Sequence, residues 1–128
     1  MEKEEFNLIS GKILNASISV HKNLGPGLLE SVYEYCLIEE LNDLGLKIES
    51  QVIIPILYKQ KVLDKVFRID LLIEKEIIIE IKAVEVILPI HFAQLSSYLK
   101  LADKRLGLLI NFNVVLLKDG FKRIVNQF

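Results

Sequence analysis

The sequence predicts a single α/β domain, residues 1–128, in which helices pack on a mixed β-sheet. Three observations favour this class. Two N-terminal segments carry apolar residues at helical spacing, three β-rich segments follow them, and a third helical segment precedes a further apolar run. Strands joined by tight turns are antiparallel, whereas a strand that follows a helix can join the sheet in parallel. The predicted order is therefore helix, helix, three strands, helix and strands.

The two N-terminal helices are predicted from their apolar stripes. The first covers residues 5–22 and ends at Gly25-Pro26-Gly27, where two glycines and a proline prevent its continuation. The second covers residues 28–44, and Gly45 stops it. The predicted buried residues are Phe6, Ile9, Ile13, Ala16 and Val20 in the first helix and Leu29, Val32, Tyr33, Cys36, Leu37, Leu41 and Leu44 in the second.

Two polar residues of these helices are candidate site residues. At 100° per residue, Glu30 falls within the apolar arc of the second helix, aligned with Leu37 and Leu41. It is either an acid placed favourably in the first helical turn or a third carboxylate aimed into a site. His21 either caps the end of the first helix or reaches a site built near Gly27.

Three consecutive strands are predicted to form an antiparallel meander. Residues 47–58 form the first, in which Pro55 indicates an edge strand or a bulge. Residues 62–73 and 77–84 form a hairpin around Lys75. One face of the first strand is predicted to carry Val52, Ile54, Ile56 and Tyr58.

The hairpin brings charged residues together. If its turn is centred on Lys75, Asp70 lies opposite Glu80 on the same face, about 5 Å away. Lys82 follows two residues further along, and Arg68 would lie opposite it. Because like charges that face each other cost free energy, the two carboxylates would attract a cation.

A hairpin with one solvated face would show the same charged residues. The apolar residues predicted on that face, Val66, Leu72 and Ile78, instead favour a partly covered face, whereas Ile69 and Leu71 are predicted to point to the other side. Charges on a covered face are costly unless they are paired or bound to a ligand.

A third helix and two further strands complete the prediction. Pro89 opens a helix that extends to about residue 104, with Gln94 and Tyr98 one turn apart beside its apolar arc. Residues 108–112 form a buried strand, parallel to its neighbour because it follows a helix. Lys118-Asp119-Gly120 is interpreted as a hairpin turn. The two strands that this turn would join are residues 114–117 and 121–125.

Composition predicts a soluble, cytoplasmic protein. The chain has 52% hydrophobic residues and one cysteine, which excludes an intrachain disulfide, and it shows no signal peptide or membrane span. A net charge of −1 argues against generic nucleic-acid binding. Residues 1–64, however, carry 6 basic and 10 acidic residues and residues 65–128 carry 10 and 7, so a polyanion could approach the second half.

Opposed acids followed by a lysine suit metal-assisted hydrolysis of phosphodiesters, because hard oxygen ligands bind Mg²⁺ and lysine stabilises developing charge. No histidine pair indicates zinc and no glycine-rich loop indicates a nucleoside triphosphate site. The chain also resembles the GxxExxY proteins, a branch of the PD-(D/E)XK nuclease superfamily. The resemblance rests on Leu24-Gly25-Pro26-Gly27, on Gly27-Leu28-Leu29-Glu30-Ser31-Val32-Tyr33, on Asp70 with Glu80-Ile81-Lys82, on Gln94 through Tyr98, and on Gly107-Leu108-Leu109-Ile110-Asn111-Phe112.

The resemblance implies a restriction-endonuclease-like three-layer core with the order α-β-β-β-α-β, preceded by an additional helix. In it, Asp70 and Glu80 would ligate Mg²⁺, for which Mn²⁺ can substitute, with help from the carbonyl of Ile81. Lys82 would support the attacking water, and Glu30 would complete the acidic cluster. Ile69-Asp70 replaces the superfamily's Pro-Asp pair, which casts little doubt on metal binding.

Five further residues are candidates. Gln94 resembles a glutamine of exonuclease-type branches and is a catalytic candidate, while Tyr98, Tyr33, Arg68 and His21 are candidates for substrate binding. The main hypothesis is a Mg²⁺-dependent nuclease that acts on DNA, with a homodimer as one possible assembly. The competing hypothesis is a non-catalytic nucleic-acid- or protein-binding module that retains the nuclease fold.

Overall fold

The structure, a computed structural model, describes residues 1–128 as four helices and one five-stranded sheet. The strands follow chain order across the sheet, and β3 and β4 are parallel while all other neighbours are antiparallel. The predicted α/β class with a mixed sheet and an additional N-terminal helix is confirmed. The elements are α1 (Lys3–Leu24), α2 (Glu30–Asp43), β1 (Ile48–Tyr58), β2 (Lys61–Ile73), β3 (Ile77–Lys82), α3 (Pro89–Ala102), β4 (Leu106–Asn111), α4 (Leu117–Gly120) and β5 (Phe121–Val125).

The helices cover both faces of the sheet. α1 and α2 share one core with residues of the central strands, such as Leu71 of β2, Ile79 of β3 and Leu108 of β4. α3 contributes Leu95 and Leu99 to a second, smaller core on the opposite face, around Ile78. The result is three layers, because each helix buries its apolar stripe against one face of the central strands. No helix combines the length and the hydropathy that crossing a membrane would require.

The stripe predicted for α1 is buried throughout, whereas the arc predicted for α2 is too wide. Leu29 and Leu44 are exposed because they flank the helix at its two ends, where the chain leaves the packed face. Val32 is also exposed, and Cys36 is half-buried. The buried residues of α2 are Tyr33, Leu37 and Leu41.

The hairpin of β1 and β2 is confirmed, and so are both expectations for Pro55. β1 is an edge strand, and its register with β2 shifts between Pro55 and Leu57. Val66 is exposed, contrary to prediction, and Tyr58 is exposed as well. The reason is that β2 pairs with β3 only along Leu71–Ile73. Beyond that point β2 has only β1 as a neighbour, so this end of the hairpin is less covered than the centre of the sheet.

The C-terminal segment differs from the predicted hairpin. β4 and β5 form as expected, but residues 114–117 form no strand. β5 pairs with β4 instead of with residues 114–117, and residues 117–120 form the short helix α4 that leads into it. The chain instead turns through α4, where a Cβ at Gly120 would overlap the carbonyl oxygen of Asn111. Glycine is therefore required for this close packing.

Candidate active site

Asp70 and Glu80 converge where the ladder between β2 and β3 ends. The last ladder pair joins Leu71 to Ile79, so the next position places Asp70 opposite Glu80, as the hairpin turn predicts. The backbone N–H of Asp70 donates to Oε2 of Glu80 at 2.7 Å. The backbone N–H of Ile81 donates to Oδ2 of Asp70 at 2.8 Å. Each carboxylate thus replaces a ladder partner and is held by the opposite strand.

Glu80 is an acid in an unfavourable place for its charge. Its residue surface is only 6% exposed. Burial, and secondarily the negative charge of Asp70, raises the pKa of Glu80 to about 8, although a hydrogen bond from the Asp70 backbone and the charge of Lys82 oppose the shift. At neutral pH without a cation, the Glu80 carboxyl is therefore mostly protonated.

A third acid near the pair comes from α2, but it is Glu34 rather than Glu30. Glu34 is half-buried, and both its carboxylate oxygens accept hydrogen bonds from Nε2 of Gln51, at 2.9 and 3.2 Å. Burial raises the pKa of Glu34; the Gln51 hydrogen bond lowers it, and the charges of Asp70 and then Glu30 raise it. Glu34 thus interacts electrostatically with the acidic pair.

Glu30 was predicted to lie within the buried arc of α2, and this prediction is wrong. It is exposed at the first residue of α2, because burial on this helix begins only at Tyr33. Helical spacing was a usable signal for Glu34, which lies four residues after Glu30 and therefore on the same side of the helix. Its charge interacts with that of Glu30.

Gln51 marks a change in side-chain direction beside Asp70. The pairs Ser50 with Leu71 and Val52 with Ile69 flank this position, and Gln51 itself has a left-handed φ of 53°. Leu71 belongs to the core under α1 and α2, whereas Ile69 packs in the core under α3. The prediction that Ile69 points away from the face of Leu72 and Ile78 is therefore wrong, because strict alternation breaks here.

Lys82 ends β3 close to the acidic pair. It is half-buried, and its positive charge lowers the pKa of Glu80. Asn111, buried at the end of the parallel strand β4, fixes the chain just after it: Oδ1 accepts from the Val84 N–H at 3.0 Å and Nδ2 donates to the Val84 carbonyl at 2.9 Å. Asn111 belongs to the segment 107–112 on which the family resemblance partly rests. Its hydrogen bonds to Val84 were not predicted from the sequence.

Two candidate residues lie on α3. Tyr98 is half-buried and stacks on Phe67, with ring centroids 4.4 Å apart and an interplanar angle of 16°. Burial is the main reason that the pKa of Tyr98 is raised, and the charges of Glu80 and then Asp70 raise it further. The Tyr98 hydroxyl therefore interacts electrostatically with the acidic pair. Gln94, one turn earlier on the helix, is exposed.

Tyr33 and His21 serve the scaffold. Tyr33 is fully buried and stacks on Phe112 at 4.6 Å, while its hydroxyl donates to the Gly25 carbonyl at 2.6 Å and accepts from the Leu28 N–H at 3.1 Å. His21 is buried, and its Nε2 lies 2.7 Å from the carbonyl oxygen of Val114. Both side chains are occupied by these internal contacts, so the structure does not present them to a substrate.

Arg68 is exposed, but it does not lie opposite Lys82. The ladder between β2 and β3 stops at Leu71, and Arg68 instead pairs with Ile53 in β1. Its charge lowers the pKa of Glu34.

The carboxylate oxygens of Asp70 and Glu80 are the type of ligand atom that a hard divalent cation prefers. No group of three or more His, Cys, Asp or Glu side chains forms a preassembled metal centre. One oxygen of Asp70 and one of Glu80 accept backbone hydrogen bonds, which leaves the second oxygen of each carboxylate for a cation. A cation would also offset the burial and the repulsion from Asp70 that together raise the pKa of Glu80. These residues therefore fit Mg²⁺ or Mn²⁺.

Comparison with known proteins identifies the family. No curated protein and no solved structure matches the chain. Residues 7–124 match the model of the PD-(D/E)XK nuclease superfamily. The matched range includes Asp70, Glu80, Lys82 and nearly all residues of the helices and strands. The five-stranded mixed sheet between helical layers is consistent with the restriction-endonuclease-like fold of that superfamily. The protein therefore belongs to the PD-(D/E)XK nuclease superfamily.

Proposed function

We propose that the protein is a Mg²⁺-dependent nuclease of the GxxExxY branch that hydrolyses phosphodiester bonds in DNA by metal-activated water. The observation that carries the proposal is the convergence of Asp70 and Glu80 in a covered site beside Lys82. Two converging carboxyl groups, of which Glu80 is buried, are costly to ionise together without a counter-ion, so their presence in a member of a nuclease superfamily favours a role in binding a cation.

In this proposal the free carboxylate oxygens of Asp70 and Glu80 hold the ion, with the Ile81 carbonyl as a further ligand. When bound, the ion polarises the phosphoryl group and lowers the pKa of water. The ammonium group of Lys82 orients the attacking water and balances the negative charge that develops on the phosphoryl oxygens. Glu34, supported by Gln51, supplies additional negative charge from α2.

The rim of the site provides groups for a nucleic acid. Tyr98 interacts electrostatically with Glu80 and Asp70, and the exposed Arg68 does so with Glu34; in this proposal Arg68 contacts a phosphate. Gln94 is exposed one turn from Tyr98, and in this proposal it remains a catalytic candidate. A homodimer would supply the two sites that cutting both strands of a duplex requires.

Metal binding is the direct test, because it does not require the right substrate. Mn²⁺ and Mg²⁺ are titrated by calorimetry into the wild type, Glu80→Gln and the control Glu85→Gln, whose glutamate is exposed. The expected result is binding by the wild type and the control and loss of binding in Glu80→Gln. Unchanged binding in Glu80→Gln would overturn the assigned site.

Cleavage distinguishes the nuclease from the binding module. Single- and double-stranded DNA are incubated with the protein and Mg²⁺, with and without a chelator. Cleavage that requires the ion supports the nuclease. DNA binding that persists in the chelator without any cleavage in Mg²⁺ supports the non-catalytic module instead.

A further inference from the structure

A second site lies away from the acidic pair. A cavity of about 480 Å³ opens between the end of α1 and the segment around α4, a volume within the range of small-molecule sites. Asp70, Glu80 and Lys82 do not line it. Its lining residues are Ile18, His21, Lys22, Gly25, Pro26, Val115, Leu116, Leu117 and Lys118.

Internal contacts hold both sides of this cavity in place. The contact between His21 Nε2 and the Val114 carbonyl joins α1 to the segment before α4. A carbonyl only accepts, so Nε2 carries the proton in this contact. The Tyr33 hydroxyl holds the Gly25 carbonyl on the other side at 2.6 Å. The cavity is therefore preformed by the fold.

The lining combines an apolar surface with positive charge. Most of its surface is aliphatic, and Val115 and Leu116 are large apolar side chains that are 89% and 64% exposed at the cavity. Lys22 from α1 and Lys118 from α4 are its only charged residues, with no acid among the lining residues. An occupant that matches this surface has an apolar body and an anionic group.

Polar groups of the lining that already have hydrogen-bond partners make a nucleotide an unfavourable occupant. A nucleobase carries hydrogen-bonding edges, and burying them without partners is unfavourable. The Gly25 carbonyl already accepts from Tyr33, and His21 Nε2 is engaged by Val114. A hydrocarbon or simple aromatic body has no such requirement.

We infer that this cavity binds a small amphipathic anion, with its apolar body against Ile18 and Leu117 and its carboxylate, sulfonate or phosphate group between Lys22 and Lys118. The site is separate from the acidic pair and does not depend on the proposed nuclease activity. It adjoins the Gly25-Pro26 segment that leads into α2, the helix that carries Glu34.

Anilinonaphthalene sulfonate is a suitable probe, because it is an apolar anion that fluoresces in apolar sites. The full chain is titrated with it as wild type, as Lys22→Glu/Lys118→Glu, and as Lys12→Glu/Lys100→Glu. The last variant has the same net charge as the second, but its substitutions lie on exposed residues outside the cavity. Thermal unfolding confirms that both variants are folded.

The expected result is saturable binding at one site that weakens by about tenfold or more in the cavity variant and changes little in the control. NMR shifts on titration should be centred on residues 18–26 and 114–118. Decanoate should displace the probe, whereas deoxyadenosine monophosphate should not. No binding, equal loss in both variants, shifts centred elsewhere, or displacement by the nucleotide alone would each overturn the inference.

Discussion

Asp70 and Glu80 are held by each other's strands: the Asp70 N–H donates to the Glu80 carboxylate, and the Asp70 carboxylate accepts from the N–H that follows Glu80. This exchange takes the place of the β-ladder where β2 and β3 separate. It satisfies backbone groups that would otherwise lack partners, and it fixes both carboxylates without a cation. The candidate site is therefore part of the architecture of the sheet.

Replacing Lys82 with alanine should remove activity without unfolding the protein. The loss of one group that stabilises developing charge costs roughly a hundred- to a thousandfold in rate. The measurement is DNA cleavage in Mg²⁺, with circular dichroism to establish the fold. Lys100→Ala, at an exposed position on α3, is the control and should keep its activity. Full activity in pure Lys82→Ala would contradict the role given to this lysine.

The stability of the metal-free protein should fall as pH rises from about 4.5 to about 8. The pKa of Glu80 is raised from 4.5 to about 8 on folding, so the folded state binds more protons than the unfolded state in this window. The contribution of Glu80 is complete below pH 4.5 and is lost as pH rises through 8, with a slope of up to about 1.4 kcal/mol per pH unit.

Urea unfolding of the wild type and Glu80→Gln across this pH range measures the effect. Glutamine keeps an oxygen that can accept from the Asp70 N–H, but it does not titrate. The Glu80→Gln variant should therefore be less sensitive to pH and more stable than the wild type at pH 8. Glu85→Gln should behave as the wild type, and identical pH profiles for all three proteins would contradict the prediction.

Cation binding should release a proton at neutral pH. The Glu80 carboxyl is mostly protonated below pH 8, and a cation would require it to be charged. The apparent affinity for Mn²⁺ should therefore rise with pH, by up to about tenfold per unit, and level off above pH 8. Calorimetry in two buffers with different ionisation enthalpies counts the protons released. Binding at pH 7 without proton release would argue against Glu80 as a ligand.

Glu34 should contribute more to metal affinity than Glu30. Glu34 is half-buried, is oriented by Gln51 and interacts with Asp70, whereas Glu30 is exposed. Glu34→Gln should weaken Mn²⁺ binding by about tenfold or more, as is common for groups that support metal ligands. Glu39→Gln, exposed on the same helix, is the control. A larger loss in Glu30→Gln than in Glu34→Gln would reverse the assignment and favour the acid in the GxxExxY motif.

Tyr33→Phe should destabilise the fold. The substitution keeps the stacking on Phe112 but leaves the Gly25 carbonyl and the Leu28 N–H without their side-chain partner. Such a loss costs about 1 to 3 kcal/mol, measured by urea unfolding. Tyr35→Phe is the matched control, because Tyr35 on the same helix is 67% exposed. Equal stability of the two variants would contradict a structural role for the Tyr33 hydroxyl.

Features of the fold that local interactions determine were predicted correctly from the sequence. The turn around Lys75 sets the register that brings Asp70 opposite Glu80, and helical periodicity identifies the buried face of α1. The prediction failed for Val66, which is exposed because β2 extends past its pairing with β3. How far a neighbouring strand reaches depends on distant packing, which a single segment does not encode.

The sequence by itself determined the class of fold, the parallel pairing of β4 and the approach of the two acids, because alternation, helical periodicity and turn length are properties of short segments. Tertiary structure decided which acid of α2 lies near Asp70, that His21 is held inside, and that residues 114–117 form no strand. These outcomes depend on which distant groups can be reached and buried, as the contact of His21 with Val114 shows, and such contacts are fixed only when the whole chain packs.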